Sequence, residues 1–324
     1  MISVNQQTLR IIKEKILPNQ ELLKVRVKKL ANGTTIIDMG QTAEGSWEAG
    51  RLYAEITQGG VVETTFGKFQ LGEYILPSVH VYSPDPLVSG WICQRHADPL
   101  PGSEHQPILT GPAKALLKPP DQSIQFVNYH DDSPVAVAPL QTSEPITEEK
   151  ADWIAASCQI DPENLYILVA PSNSLVCSIQ VAARPIDNLM HRLQEENFDL
   201  HTIKSAFSTA PLPPFSPDEI EAMGRINDCL LYGGHVLAYV DTTDQEIERV
   251  LPIITLEHTG QYGKLFKQMY VENDCSFHKM DLRVHTTALI QFNNIRTGRC
   301  FSTGKIDHEI LNQSFFGTKL PASQ

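Results

Sequence analysis

The sequence lacks the short motifs that mark several large enzyme classes. It contains no Gly-x-Gly-x-x-Gly after a strand-like run, no Gly-x-x-x-x-Gly-Lys-Ser/Thr loop and no Gly-x-Ser-x-Gly elbow. The first two motifs wrap backbone N–H groups around phosphates, and the third exposes a serine nucleophile. Dinucleotide-dependent, nucleotide-hydrolysing and serine-hydrolase chemistry are therefore poorly supported.

Cysteine, long apolar runs and positive charge are also scarce. The six cysteines among 324 residues form no Cys-x-x-Cys pair, so neither a disulfide framework nor a paired zinc site is indicated. No segment approaches the length of a membrane span, and the N-terminal segment lacks a signal-peptide core, so we expect a cytoplasmic protein without membrane contact. The formal net charge of −12 argues against nucleic acid as the main partner.

Strand-like and helix-like patterns are mixed along the chain. Two alternating runs flank Asn32-Gly33, a pair that tight hairpin turns prefer. The pattern further predicts strands over residues 126–129, 135–140 and 236–240. It predicts a helix over residues 148–158 and a short helix over residues 218–223.

The stretch over residues 164–193 carries the most informative pattern. A short apolar run over 165–170 indicates a buried strand, and Ser172 lies in the loop that follows. From Pro185 onward, apolar residues recur at helical spacing, so Arg184 and Asp187 lie at the start of a helix. A cation and a carboxylate placed there can do acid–base work, although an acid in a first helical turn also simply stabilises the helix.

Two further segments carry candidate binding residues. The turn over residues 110–114 contains Thr110, Gly111 and Lys114 and leads into a short helix, where backbone N–H groups can hold an anion or simply join a loop to a helix. Arg225 and Asp228 precede the strand predicted over 236–240. Such polar groups are either satisfied internally or directed at a ligand.

Several segments together resemble the methenyltetrahydromethanopterin cyclohydrolase family. They follow one another in the family's order and cover almost the whole chain: residues 45–50 (GSWEAG), 110–116 (TGPAKAL), 161–171 (DPENLYILVAP), 178–184 (SIQVAAR), 222–228 (AMGRIND), 232–234 (YGG) and 293–298 (NNIRTG). No single motif is decisive, whereas the order and spacing of the set are specific.

The resemblance implies an α+β (mixed α/β) fold of two α/β domains with a substrate pocket between them, assembled as a homotrimer. We place the domain boundary in the Pro-rich irregular stretch before residue 108, which gives domains 1–107 and 108–324, and the last strands can return to the first domain. The implied reaction is the reversible hydrolysis of N5,N10-methenyl-tetrahydromethanopterin to the N5-formyl compound. The pterin is the substrate, and neither a cofactor nor a metal is implied.

The resemblance also assigns roles to individual residues. Arg184 matches an arginine that holds a catalytic carboxylate, and the position three residues on is Asp187, which would orient and deprotonate water. The substrate-binding positions implied are Thr110, Gly111, Lys114, Ser172, Arg225 and Asp228.

The chain departs from the family pattern at two of these positions. The family carries a glutamate where Asp187 stands, and aspartate reaches roughly 1.5 Å less far. It carries an arginine where Lys114 stands. These departures keep two alternatives open, a pterin-binding paralogue with weak or no turnover and a cyclohydrolase for a different pterin.

Overall fold

The computed structural model describes residues 2–95, 110–275 and 279–317, apart from the side chains of Gln122, Ser123 and Leu282. Contacts divide the chain into two compact units. The first unit comprises Met1–Val62 and Val88–Gln180, and the second comprises Glu63–Leu87 and Val181–Gln324. Each unit is therefore assembled from two separate stretches of the sequence.

The described residues form ten strands and eleven α-helices. The strands are β1 (Arg26–Lys29), β2 (Thr35–Asp38), β3 (Glu63–Leu71), β4 (Tyr74–Ser83), β5 (Ala136–Leu140), β6 (Leu165–Val169), β7 (Ile203–Pro211), β8 (His235–Val240), β9 (Leu289–Asn294) and β10 (Cys300–Gly304). The helices are α1 (Val4–Ile11), α2 (Gln20–Leu23), α3 (Trp47–Thr57), α4 (Gln122–Val127), α5 (Glu148–Cys158), α6 (Leu175–Ala182), α7 (Pro185–Glu195), α8 (Glu219–Gly233), α9 (Asp244–Val250), α10 (Phe266–Glu272) and α11 (His308–Phe316). This mixture confirms the predicted α+β class.

The first unit contains a four-stranded sheet with the order β1-β2-β6-β5. Strands β1 and β2 form the predicted antiparallel hairpin, and Gly33 takes the positive φ of 91° in its turn. Strands β2, β6 and β5 run parallel, and β6 is the buried strand that the apolar run predicts. Because β6 is covered on both faces, its sequence is apolar almost throughout instead of alternating.

The second unit contains a six-stranded sheet with the order β10-β9-β8-β7-β4-β3. Neighbouring strands are antiparallel except for the parallel pair of β8 and β9. Along β8 and β9, buried and partly exposed residues alternate, as expected of a sheet with one covered face. Helices α7 and α8 both pack against β7.

The predicted domain boundary at residue 107 lies outside the described residues. The two compact units divide the chain differently, since β3 and β4 belong with the second unit and β5, α5 and β6 with the first. The last strands, β9 and β10, share their sheet with β3 and β4. The hairpin of β3 and β4 joins the second unit because β4 pairs with the later strand β7. Such long-range pairing produces no change of composition along the chain, so the sequence does not reveal it.

Two predicted elements are wrong. Residues 126–129 are predicted as a strand, but α4 runs over Gln122–Val127, and short apolar segments do not distinguish the two periods. The helix predicted to end at residue 223 continues as α8 to Gly233, so that Arg225 and Asp228 lie on a helix. Its buried residues Ala222, Ile226 and Cys229 maintain helical spacing past Gly224.

None of the helices in the described part of the chain combines the length and the apolar character needed to cross a lipid bilayer.

Candidate active site

The start of α7 positions the two residues that the sequence analysis singled out. Pro185 occupies the first helical position, where its missing N–H costs no hydrogen bond, and Arg184 is the N-cap residue. Asp187 lies in the first turn, as predicted. The apolar face of the helix is buried, so these polar residues are fixed to a rigid element.

Arg184 and Asp187 form a nearly enclosed ion pair. Both the Nε and the Nη2 of Arg184 donate to the Oδ2 of Asp187, at 2.9 and 2.6 Å. The Asp187 side chain is 2 % exposed, and that of Arg184 is 17 % exposed. One oxygen of the carboxylate is therefore held in place by two charge-assisted hydrogen bonds.

The second carboxylate oxygen of Asp187 is the unusual atom of the site. Its Oδ1 is buried and accepts no hydrogen bond from any residue that the structure describes. Buried carboxylate oxygens are rarely left in that state, because the desolvation cost is high. This oxygen is therefore available to accept a hydrogen bond from a bound water molecule.

Sequence analysis missed His191, which lies one turn further along α7. Its Nε2 is 3.4 Å from the Oδ1 of Asp187, and its side chain is 17 % exposed. The spacing of four residues was a usable signal, since side chains at i and i+4 share a helix face. The apolar residues define the predicted helix, and the polar residues of its other face lie outside that pattern.

His285 is a second missed residue, and it comes from a different part of the second unit. Its ring centroid is 6.1 Å from that of His191. Burial and the nearby Arg184 guanidinium lower the pKa of His285 to about 4, against an opposing effect of Asp187. The imidazole is thus neutral near pH 7.

A hydrogen bond links the segment that carries His285 to α7. The side-chain amide of Asn188 donates to the carbonyl of Thr286 at 2.7 Å, and both residues are buried. Nothing in the sequence predicts this contact, because residues 188 and 286 are far apart along the chain. His285 is brought to the site by tertiary packing alone.

The predicted binding turn in the first unit is more enclosed than expected. Residues Pro112–Leu116 form a five-residue 3₁₀ turn after Gly111, which has a φ of 74°. The Lys114 side chain is fully buried, with its Nζ 3.9 Å from the Oδ1 of Asp121, whose side chain is 1 % exposed. Lys114 presents no surface to a ligand in this structure, whereas Thr110 is partly exposed.

Ser172 follows the carboxyl end of β6 and is buried. Its hydroxyl accepts a hydrogen bond of 2.9 Å from the side-chain amide of Gln141, which follows the carboxyl end of the neighbouring parallel strand β5. Ligand sites of parallel sheets commonly lie at this edge. The position agrees with a binding role, which stays a prediction.

Arg225 and Asp228 have internal partners within the second unit. Arg225 pairs with Glu221 at 3.1 Å and donates more weakly to the carbonyl of Pro214. Asp228 is buried and accepts hydrogen bonds from the Phe266 backbone N–H at 2.8 Å and the Ser314 hydroxyl at 2.6 Å. The carboxylate of Asp228 therefore has hydrogen-bond partners within the protein. A contact of Asp228 with the substrate stays an untested prediction.

Burial also changes the acidity of Asp228. Loss of hydration raises the pKa of its carboxyl to about 7, although the hydrogen bonds from Ser314 and Phe266 act in the opposite direction. Because the carboxyl of Asp228 titrates near neutral pH in the folded protein, the free energy of unfolding should depend on pH in that range.

Comparisons with known proteins identify the family of the chain. A sequence model of the family described as Cyclohydrolase (MCH) matches residues 3–315. Proteins named methenyltetrahydromethanopterin cyclohydrolase are similar over nearly their whole length: that of Methanothermobacter marburgensis is 33 % identical over 97 % of this chain and 99 % of its own, and that of Methanocaldococcus jannaschii is 33 % identical over 99 % and 100 %. The corresponding protein of Methanococcoides burtonii is 30 % identical over 97 % of this chain and 98 % of its own.

Full-length agreement of this kind leaves no large block of the chain unmatched. The chain belongs to the cyclohydrolase (MCH) family.

Proposed function

We propose that this protein is a methenyltetrahydromethanopterin cyclohydrolase, a hydrolase that opens the cyclic C–N bond of N5,N10-methenyl-tetrahydromethanopterin. Family membership over nearly the full length supports the substrate class. The observation that carries the mechanism is the Asp187 carboxylate, whose Oδ2 is held by Arg184 and whose buried Oδ1 accepts no hydrogen bond from the residues that the structure describes.

The substrate is electrophilic at one carbon, because the methenyl carbon lies between two nitrogens that share a positive charge. A water molecule hydrogen-bonded to Oδ1 would be oriented for attack, and the carboxylate would take its proton as the C–O bond forms. The negative carboxylate would also favour the cationic centre electrostatically. The first product of this step is a neutral carbinolamine.

Ring opening then requires a proton on the departing nitrogen. The protonated Asp187 would return its proton to N10 as the C–N10 bond breaks, and the electrons of the hydroxyl O–H bond would form the C=O of the N5-formyl group. That hydroxyl proton would pass to the Asp187 carboxylate, which the transfer to N10 has regenerated. In sum, the cation and water give a neutral formyl compound and one free proton.

Arg184 has a positioning role in this mechanism. Two donors on one oxygen restrict rotation of the carboxylate and direct Oδ1 toward the water. Misplacement of a reacting group on the order of 1 Å can cost about 10²-fold in rate. In this chain both hydrogen bonds form with Asp187, which is shorter than the glutamate of the family pattern.

The remaining features of the proposal are expectations from family resemblance. We propose that the protein works in the cytoplasm as a homotrimer and that catalysis requires no cofactor. Placement of the substrate in a pocket between two domains also stays a prediction, as do the substrate contacts of Thr110, Gly111, Lys114, Ser172, Arg225 and Asp228. Light scattering on the purified protein tests the assembly, with a mass three times the 36.1 kDa of the chain expected.

Loss of the ultraviolet absorbance of methenyl-tetrahydromethanopterin tests the activity itself. We expect turnover well above the spontaneous rate with this substrate and much slower turnover with methenyl-tetrahydrofolate. Faster turnover of the folate compound would assign the protein to a different pterin. Binding of the methanopterin compound without turnover would identify a paralogue that retains only the binding site.

A further inference from the structure

The proposed reaction releases one proton for each substrate molecule hydrolysed, and this inference rests on that proposed function. Water supplies two hydrogens, of which one is transferred to N10 and the other leaves. The base that removes the second proton is Asp187, whose side chain is only 2 % exposed. Before the next turnover, this proton must therefore pass from a buried carboxyl group to solvent through another group.

Among the described residues, the partly exposed side chains that pair with the Asp187 carboxylate are Arg184 and His191, and of these two only His191 can accept a proton. Arg184 contacts Oδ2, and a guanidinium remains protonated in proteins and has no acceptor atom. His191 lies on the other side, with its Nε2 3.4 Å from Oδ1 and 17 % of its side chain exposed. Neutral imidazole accepts a proton at the nitrogen that carries none.

The surroundings of His191 are compatible with a transient positive charge on its ring. Asp187 precedes it on the same helix, and Glu195 follows one turn later, where it pairs with Arg192. From the segment before β9, His285 faces the ring at a centroid distance of 6.1 Å and is neutral near pH 7. Two guanidinium groups lie nearby, and each is paired with a carboxylate, Arg184 with Asp187 and Arg192 with Glu195.

We propose that His191 carries the product proton from Asp187 to solvent. The O–H bond on Oδ1 breaks, a bond from that proton to Nε2 forms, and the carboxylate is regenerated beside an imidazolium. The imidazolium then gives one proton to water or to a buffer base. In the reverse direction, His191 delivers the proton that formyl-group cyclisation consumes.

Replacement of His191 by alanine and by glutamine tests this role, with His258→Gln as a matched control at an exposed position of the same unit. Hydrolysis is measured at about pH 7 in dilute buffer and then with increasing imidazole. We expect kcat of both His191 variants to fall about 10- to 100-fold in dilute buffer with KM nearly unchanged. Added imidazole should restore kcat in a saturable manner, more fully for the alanine variant, which leaves space for it.

Several outcomes would overturn the proposal. An unchanged kcat in dilute buffer would show that the proton leaves by another route. A reduced kcat that imidazole does not restore would assign His191 to holding Asp187 in position. The wild type is measured alongside, and its failure to hydrolyse the pterin would reject the proposed function itself. Circular dichroism identifies a misfolded variant, in which case the other His191 variant gives the answer.

Discussion

The Oδ2 of Asp187 accepts hydrogen bonds from two nitrogens of Arg184, at 2.6 and 2.9 Å, while its Oδ1 accepts no hydrogen bond from the described residues. This asymmetry divides the carboxylate into a fixed oxygen and an available one. A carboxylate that only stabilised its own helix would direct its oxygens at the orphan N–H groups of the first turn. Arg184 is the N-cap residue, but its side chain makes no capping hydrogen bond to the helix. We therefore infer that the pair acts on a bound molecule and does not serve to cap the helix.

Replacement of Arg184 should reduce catalysis more than binding. In Arg184→Gln, the carboxylate loses its charged partner and both hydrogen bonds, so we expect kcat to fall about 10²-fold or more. Arg184→Lys keeps the charge without the two-donor geometry and should give an intermediate rate. Steady-state kinetics with the methenyl substrate measure both. Equal rates for Arg184→Lys and the wild type would show that charge alone suffices.

Asp228→Asn should change how stability depends on pH. The folded-state pKa of about 7 exceeds the unfolded value of 3.8, so the folded protein binds more protons between these pH values. Stability of the wild type therefore falls as pH rises from about 4 to about 7. The asparagine variant has no carboxyl group to ionise at this position, so its stability should not fall in this way. At pH 8 its free energy of unfolding should exceed that of the wild type by up to about 4 kcal/mol, because one pKa unit corresponds to about 1.4 kcal/mol.

Urea unfolding at pH 4.5 and pH 8 measures this effect. The two proteins should differ little at the lower pH and clearly at the higher one. Asp132→Asn, at an exposed position, is the control and should follow the wild type at both values. A destabilised Asp228→Asn at pH 8 would mean that the hydrogen bonds from Ser314 and Phe266 require the ionised carboxylate.

Lys114→Met tests whether the buried lysine is structural. Removal of its ammonium leaves the carboxylate of Asp121 in the interior, and breaking a buried pair in this way costs about 3–5 kcal/mol. We expect a lower free energy of unfolding in urea, with partial recovery in Lys114→Met combined with Asp121→Leu. KM of folded protein should be unchanged. A raised KM without loss of stability would support the substrate contact that the family resemblance implies.

Much of the fold could be predicted from local sequence. Ser46 caps α3 by accepting from the Ala49 N–H, Gly33 turns the first hairpin, and α5 spans the predicted residues. These elements depend on capping, turn chemistry and periodicity, all of which act within a few residues. Helix α8 was predicted too short, and its residue Gly224 lies against Lys267 of α10.

Only the part of the candidate site that lies within a few residues of sequence could be predicted. Arg184 and Asp187 lie three residues apart, so their pairing follows from helix geometry. His285 reaches the site through the contact of Asn188 with Thr286, which depends on how α7 packs beside the segment before β9. The enclosure of Lys114 and Asp228 likewise follows from tertiary packing, since polar residue type alone does not distinguish a buried partner from a ligand contact.

The most direct test of the account compares wild-type protein and Asp187→Asn in hydrolysis of methenyl-tetrahydromethanopterin, with the spontaneous reaction subtracted. Asparagine preserves the size of the side chain but cannot take a proton from water. We predict that kcat falls about 10²- to 10⁴-fold while the variant still binds the substrate. An Asp187→Asn variant that hydrolyses the pterin at the wild-type rate would contradict the assignment of Asp187 as the base.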